Sequence, residues 1–325
     1  MTGVISDYHK LPSSERGASV ALGNFDGVHA GHRAVIEAAA KVARDRSIPL
    51  AALIFEPPPR QFFRPDGEPF RIMRTVQRRE ALRDLGVEII YELPFDAPMS
   101  KMTPEVFVKT VLVDGLGLQH LAVGFDFRFG QGREGDTSTL DQLAKAHGFT
   151  LSVVSPVTDG SAKISSTAIR NALQEGRPGE AATFLEHYWI ADGVIEQGEQ
   201  RGRTINFPTA NLRLGELIQP RFGVYAVWAR IEGLEGWHAG VANFGRTPTT
   251  GDRDPLLEVH LFDFDRDIYG RKIEVALVSY LRKEKKFDSF EALTVQIATD
   301  ASDARQILKA QGGGALHIKS LPQPA

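Results

Sequence analysis

The sequence predicts an α/β domain built on a parallel sheet, followed by an all-β domain that ends in a helix. Three observations carry this. Up to about residue 185, apolar strand-like runs alternate with segments of helical period. From His187 onward the period becomes strand-like, in short β-branched and aromatic runs separated by glycine-rich turns. A helical pattern returns only from Ser289 to about Lys309. The expected domains are therefore 1–185 and 186–311. The tail, 312–325, lacks periodicity and is expected to be disordered.

Composition narrows the function classes. A chain of 325 residues can bury two cores, and its 42% hydrophobic and 24% charged content is that of a soluble globular protein. The net charge of −3 gives no basic excess for nucleic acid, and Arg78-Arg79 and Lys283 to Lys286 are interleaved with acids. With no cysteine, disulfides, thiolate catalysis and cysteine metal sites are excluded. No apolar span has membrane length and MTGVISDYHK lacks the apolar core of a signal peptide, so no membrane partner and a cytoplasmic location are expected.

The polar stretch 1–17, with Pro12, reads as a lead into the first strand, Ala18 to Leu22. Leu22 to His32, LGNFDGVHAGH, is then a strand-to-helix turn, with the helix running from Ala34 to Arg46. Gly23, Gly27 and Gly31 let the backbone turn and approach a bound group. His29 and His32, three apart, project from one face of the helix start, where free N–H groups and the dipole favour an anion. The turn reads as a phosphate site. Metal ligation by the His-x-x-His pair, or simple capping and packing, are the competing readings.

Leu50 to Phe55 is the next strand, and strand-helix-strand order implies a right-handed parallel crossover. It runs into FEPPPRQFFRPD, where three prolines are expected to hold the loop extended and Phe62 and Phe63 either cover a planar ligand or join the core. Further on, the reading is a helix Arg74 to Leu85, a strand Val87 to Leu93, and a helix capped by Thr103 and running to Val113. A strand from His120 to Val123 delivers GFDFRFG. Gly130 to Gly135 fits G-x-G-x-x-G, but a dinucleotide fingerprint belongs in the first βα unit and this copy follows the fourth strand. A helix Thr137 to His147 and a strand Thr150 to Val154 lead to ISSTAIR. There Ser165, Ser166 and Thr167 offer hydroxyls and N–H groups at a helix start, and Arg170 sits one turn in.

In the second domain five strands are expected: Tyr188 to Ile195, Phe222 to Ile231, Trp237 to Val241, Leu256 to Phe264 and Lys272 to Leu281. The final helix is expected to place Phe290, Leu293 and Ile297 on one face. GEQRGRTINFPTANL joins the first two strands; Gly198, Gly202 and Arg203 form a turn able to wrap phosphates. Thr209 and Asn211 supply neutral hard oxygens that suit Mg²⁺ shared with a nucleotide. Glu258, among apolar residues on a strand, is a candidate general base.

HAGH matches the HxGH signature of nucleotidyltransferases, and GNFDGVHAGH, VGFDFRFGQGREGD, ISSTAIR, FPTANL and LLEVHLFDFD together resemble the bacterial bifunctional riboflavin kinase/FAD synthetases. The resemblance spans roughly residues 15 to 310. It implies a Rossmann-like nucleotidyltransferase domain, then a six-stranded barrel that phosphorylates riboflavin to FMN; the first domain would adenylylate FMN to FAD. ATP is then the co-substrate with Mg²⁺, and FMN and FAD are products. By the same resemblance His29, His32, Arg170 and Glu258 are catalytic, and Gly23, Asn24, Phe25, Gly31 and Ser165 to Thr167 contact ATP, as do Gly198, Gly202 and Arg203. Phe62, Asp126 and Asn243 contact flavin, and Thr209 and Asn211 hold metal. Departures stand at Pro58, usually histidine; at Asn206, usually glycine; at Glu186-His187, in place of a Gly-Arg pair; and in VANFGRTPTT. They leave open an adenylyltransferase whose barrel only binds flavin, or a flavin- or nucleotide-sensing binding protein. The oligomeric state is undetermined.

Overall fold

The computed structural model describes residues 3–158, 163–197, 207–246 and 255–311. They pack as two units: 1–68 with 75–165, and 69–74 with 166–325. The family of contacts thus divides the chain after Ser165, whereas the change of sequence period falls near 185.

In the first unit the strands are β1 (Val4–Ile5), β2 (Ser19–Leu22), β3 (Leu50–Phe55), β4 (Ile89–Leu93), β5 (His120–Gly124) and β6 (Thr150–Val154). They form one sheet in the order β1-β4-β3-β2-β5-β6, every pair parallel. β2 and β3 are apolar almost throughout and buried on both faces, as central parallel strands must be. The winding reverses between β2 and β5, and in such sheets the crevice at the strands' carboxyl ends is where ligands bind. Both LGNFDGVHAGH and GFDFRFG leave from that place.

The helices are α1 (Ala30–Arg46), α2 (Pro59–Phe63), α3 (Thr75–Asp84), α4 (Ala97–Ser100), α5 (Pro104–Phe107) and α6 (Thr137–His147). α1 lays Val35, Ile36, Ala39, Ala40 and Ala43 on the sheet, the alanines allowing Ser19 Oγ on β2 to donate to Ala39 O at 2.7 Å. α6 has the bounds the sequence predicts, because Asp136 caps its N-terminus and Gly148, at φ 80°, ends it.

Three local expectations are corrected. Residues 1–17 do more than lead in: Val4 and Ile5 pair with Ile90 and Tyr91 as an edge strand. Only part of the proline loop stays extended: Pro58 keeps φ −59° and ψ 147°, but Pro59 opens α2, where its missing N–H costs nothing. The helix capped by Thr103 is α-helical only to Phe107 and then continues as π-helical turns from Val108 to Gly115.

The second unit contains α7 (Ser166–Gln174), α8 (Pro178–Leu185), β7 (Ile190–Val194), β8 (Ala210–Arg213), β9 (Gly223–Ile231), β10 (His238–Gly245), β11 (Leu256–Leu261), β12 (Lys272–Arg282) and α9 (Phe290–Ala310). The six strands form an antiparallel sheet in the order β7-β12-β9-β10-β11-β8. Glu196 N–H donates to Asn211 O at 2.9 Å, joining the outermost strand back to the end of β7 and nearly closing a barrel. β8, only four residues long and overlapping FPTANL, carries no strand signal of its own in the sequence.

Cross-strand register sorts the faces. Leu212, Leu257, Phe244, Val259, Tyr225 and Val227 are buried on the inner face. On the other face Val224, Ala226, Trp228 and Val241 pack with Ala304 and Leu308 of α9. α9 is pinned by the Arg282 fork on buried Asp300, at 2.8 and 2.6 Å. Its packed stripe runs through Asp300, Ala304 and Leu308, so Phe290, expected on it, is 59% exposed.

The segment 69–74 belongs to this unit by hydrogen bonding. Trp189 Nε1 donates to Ile72 O at 2.7 Å, and the Arg74 guanidinium donates to Asp192 Oδ1 at 2.9 Å, Asp192 O and Leu214 O.

Candidate functional sites

In the turn after β2, Phe25 and Val28 hold φ of 48° and 40°, a strained backbone for residues with bulky side chains. Surrounding contacts impose it. The Phe25 ring is buried in a T-shaped contact with His32 and close to Gly23, where a β carbon would lie 3.2 Å from it, and Arg33 Nε donates to Val28 O at 3.1 Å. Buried Arg78 on α3 donates to Asn24 O at 3.2 Å and to Glu56 at 2.8 Å, tying the ends of β2 and β3 together.

His29 caps α1, its Nδ1 accepting the His32 N–H at 3.3 Å. An accepting Nδ1 leaves the proton of the neutral ring on Nε2. The two imidazoles stack with centroids 3.7 Å apart. Gly31 lets the His29 ring sit close over the helix start: a β carbon there would lie 3.1 Å from that ring and in ordinary contact, 3.6 Å, with Ile164 O. Ile164, which opens ISSTAIR, therefore lies beside HAGH. Ser165 follows within the same unit, whereas Ser166, Thr167 and Arg170 enter α7 of the second unit. Arg170 Nε donates to Phe70 O at 2.7 Å, with its guanidinium over the Phe70 ring.

At the end of β5, Asp126 pairs with Lys163 at 2.6 Å, and that ammonium lies 4.5 Å from the centroid of the Phe125 ring. Phe127 and Phe129 stack and turn inward. The G-x-G-x-x-G segment forms a tight turn, Gln131–Arg133, not the start of a long helix, and Gly135 makes room for the Phe129 ring. Phe62 is half-buried, edge-on to Phe63 and Phe95, and Phe63 is 64% exposed.

In the barrel unit, register aligns Asn211 on β8 with Glu258 on β11, and Glu258 with Asn243 on β10. Directly opposed residues share a face, so the three form a row across adjacent strands, on the face that α9 packs against. Asn211 is 7% exposed and its Oδ1 has no hydrogen-bond partner. A buried acceptor left unmade costs on the order of 1–3 kcal/mol, which marks a place for a ligand. Thr209 is half-buried just before β8. Gly198, Gly202 and Arg203, with Asn206, lie outside the described residues.

Two residues here escaped sequence reading. His260, two along from Glu258, stacks on Phe207 at 3.6 Å and donates through Nδ1 to Pro208 O at 2.9 Å, fastening the approach to β8; burial lowers its pKa. Glu284, after β12, hydrogen-bonds to Asn243. Neither carries a motif signal, because each acts through a residue distant in sequence. Among the described residues no cluster of three His, Cys, Asp or Glu could hold a metal. The oxygens of Asn211 and Thr209 do fit a hard cation that arrives on phosphates. Among the described residues no helix is long and apolar enough to cross a membrane.

Comparison with known proteins agrees with both units. The family model for FAD synthetase matches residues 11–168, and that for riboflavin kinase matches 185–308. The bifunctional riboflavin kinase/FMN adenylyltransferase of Escherichia coli K12 is 39% identical over 93% of this chain and 97% of its own length. That of Bacillus subtilis is 36% identical over 92% of this chain and 96% of its own. A crystal structure of a macrolide-efflux protein from Streptococcus pneumoniae superposes with a TM-score of 0.79 at 31% identity, covering 89% of this chain and 94% of that one.

Proposed function

The chain belongs to the family of bifunctional riboflavin kinases/FMN adenylyltransferases, and on that premise we propose that its barrel unit converts riboflavin to FMN and its parallel-sheet unit converts FMN to FAD. ATP is consumed in both steps, and pyrophosphate leaves in the second.

The observation that carries the kinase assignment is the Asn211-Glu258-Asn243 row with its orphaned Asn211 oxygen. Glu258 accepts the proton of the ribityl 5′-hydroxyl as that oxygen attacks the γ-phosphate of ATP. Asn211 and Thr209 would hold Mg²⁺, which supplies charge neutralisation on the phosphates. Asn243 contacts the flavin. Gly198, Gly202 and Arg203 are assigned to the ATP phosphates on their motif alone.

In the first unit the FMN phosphate attacks the ATP α-phosphate. No protein nucleophile is needed; catalysis is positioning and charge stabilisation. His29 offers Nε2–H at the α1 N-terminus, which adds its own dipole, and His32 stacks on it. Gly23, Asn24, Phe25 and Gly31 bring backbone groups to the nucleotide, and the buried Phe25 ring braces the turn rather than touching ligand. Phe62 and Asp126 face flavin on this reading. Ser165, Ser166, Thr167 and Arg170 are assigned to the leaving pyrophosphate from ISSTAIR alone.

Incubation of the full chain with riboflavin, ATP and Mg²⁺, followed by chromatography, tests both halves. FMN and then FAD are expected. FAD formed only from supplied FMN would reduce the barrel to a flavin-binding module, and no product at all would overturn the reading.

A further inference from the structure

The carboxylate of Glu284, just past β12, folds back onto β10. It hydrogen-bonds to the Asn243 side chain, and it occupies the space beside Gly245, where any β carbon would overlap it. Gly245 and Asn243 lie two apart on one strand and so share a face. Glu284 is thus a fourth polar group, beside the Asn211-Glu258-Asn243 row, reached from a different part of the chain. The charged neighbour there is Arg282, whose fork holds Asp300.

An ionised carboxylate only accepts, so Asn243 must turn its Nδ2 toward Glu284. Its Oδ1 then faces away, as an acceptor. We propose that Glu284 is a positioning residue of the kinase site: it fixes the Asn243 carboxamide so that Oδ1 receives a donor of the flavin substrate, a ribityl hydroxyl or ring N–H, and Gly245 exists to admit it. The inference rests on the assignment of Asn243 to flavin. Without Glu284 the amide is free to flip and present Nδ2, which a substrate O–H or N–H cannot use as an acceptor.

The test is riboflavin kinase kinetics on the full chain, with adenylylation of supplied FMN as the check that each variant is folded. Glu284→Ala is expected to raise KM for riboflavin about tenfold, the scale of one lost charge-assisted hydrogen bond, with kcat nearly unchanged. Glu284→Gln, whose Oε1 still accepts from Nδ2, restores most of that loss. Gly245→Ala, which displaces the carboxylate without altering it, reproduces Glu284→Ala. In an Asn243→Ala background, Glu284→Ala adds nothing further. The proposal is overturned if Glu284→Ala leaves KM unchanged while Asn243→Ala raises it, or if the two losses add. Should Asn243→Ala itself leave KM unchanged, the flavin assignment of Asn243 falls first and the proposal with it.

Discussion

His29 and His32 stack with their planes 19° apart while His29 Nδ1 holds the backbone N–H of His32. One side chain therefore caps the helix and, in the proposed function, also donates toward a phosphate, and the two duties are separable. His29→Ala should lower FAD formation from FMN at least tenfold, the scale of one lost charge-stabilising donor, and cost about 1 kcal/mol of stability as a lost cap. His29→Asn keeps a capping oxygen, so stability returns and activity does not. Urea unfolding beside an adenylylation assay checks this; recovery of activity in the Asn variant would make His29 a cap alone.

Removing the proton acceptor in the barrel should strike the other reaction. Glu258→Gln is expected to slow FMN formation about a hundredfold, the lower range of general-base effects, with adenylylation of supplied FMN intact. Equal losses in both activities would contradict two separate sites.

Asn211 carries a buried oxygen without a partner, so its replacement by an apolar side chain should cost little stability in the ligand-free chain. Thermal melts should show MgATP raising the native midpoint more than that of Asn211→Leu, which keeps only the ATP site of the parallel-sheet unit. Chelation of Mg²⁺ should abolish FMN formation. An equal MgATP shift in the two proteins would remove Asn211 from the phosphate site.

His120, at the opposite end of β5 from the turn, has a pKa lowered from an ordinary 6.5 to about 4, first by burial and then by the nearby Arg46 charge; its bond to Thr150 opposes the shift. The folded state therefore disfavours the proton that the unfolded chain binds. The resulting stability is present above pH 6.5 and is lost as pH falls toward 4. His120→Gln should flatten this loss in denaturant titrations across that window. An unchanged slope would assign the acid sensitivity elsewhere.

Much of the site was readable because local sequence can encode a turn. HAGH, with two small residues between two histidines, announces a helix start, and Asp136 and Gly148 cap the ends of α6 through local hydrogen bonds and backbone. Glu258 was singled out by the resemblance of LLEVHLFDFD to a family motif; an acid between apolar strand residues is consistent with that choice but does not make it. Where chemistry depends on pairing, the signal disappears. β8 is four residues long and reads as a loop until β11 supplies its hydrogen bonds.

By itself the chain determined the two fold classes and the order of most elements, which follow from hydrophobic period and turn chemistry over neighbouring residues, while the polar groups proposed to meet ligands came largely from motif resemblance. Only the tertiary structure decided which groups meet. Strand register set Asn211, Glu258 and Asn243 in a row, α9 packing chose their face, and Glu284 and His260 became visible as partners. Register and packing are long-range, and no window along the sequence contains both sides of such a contact.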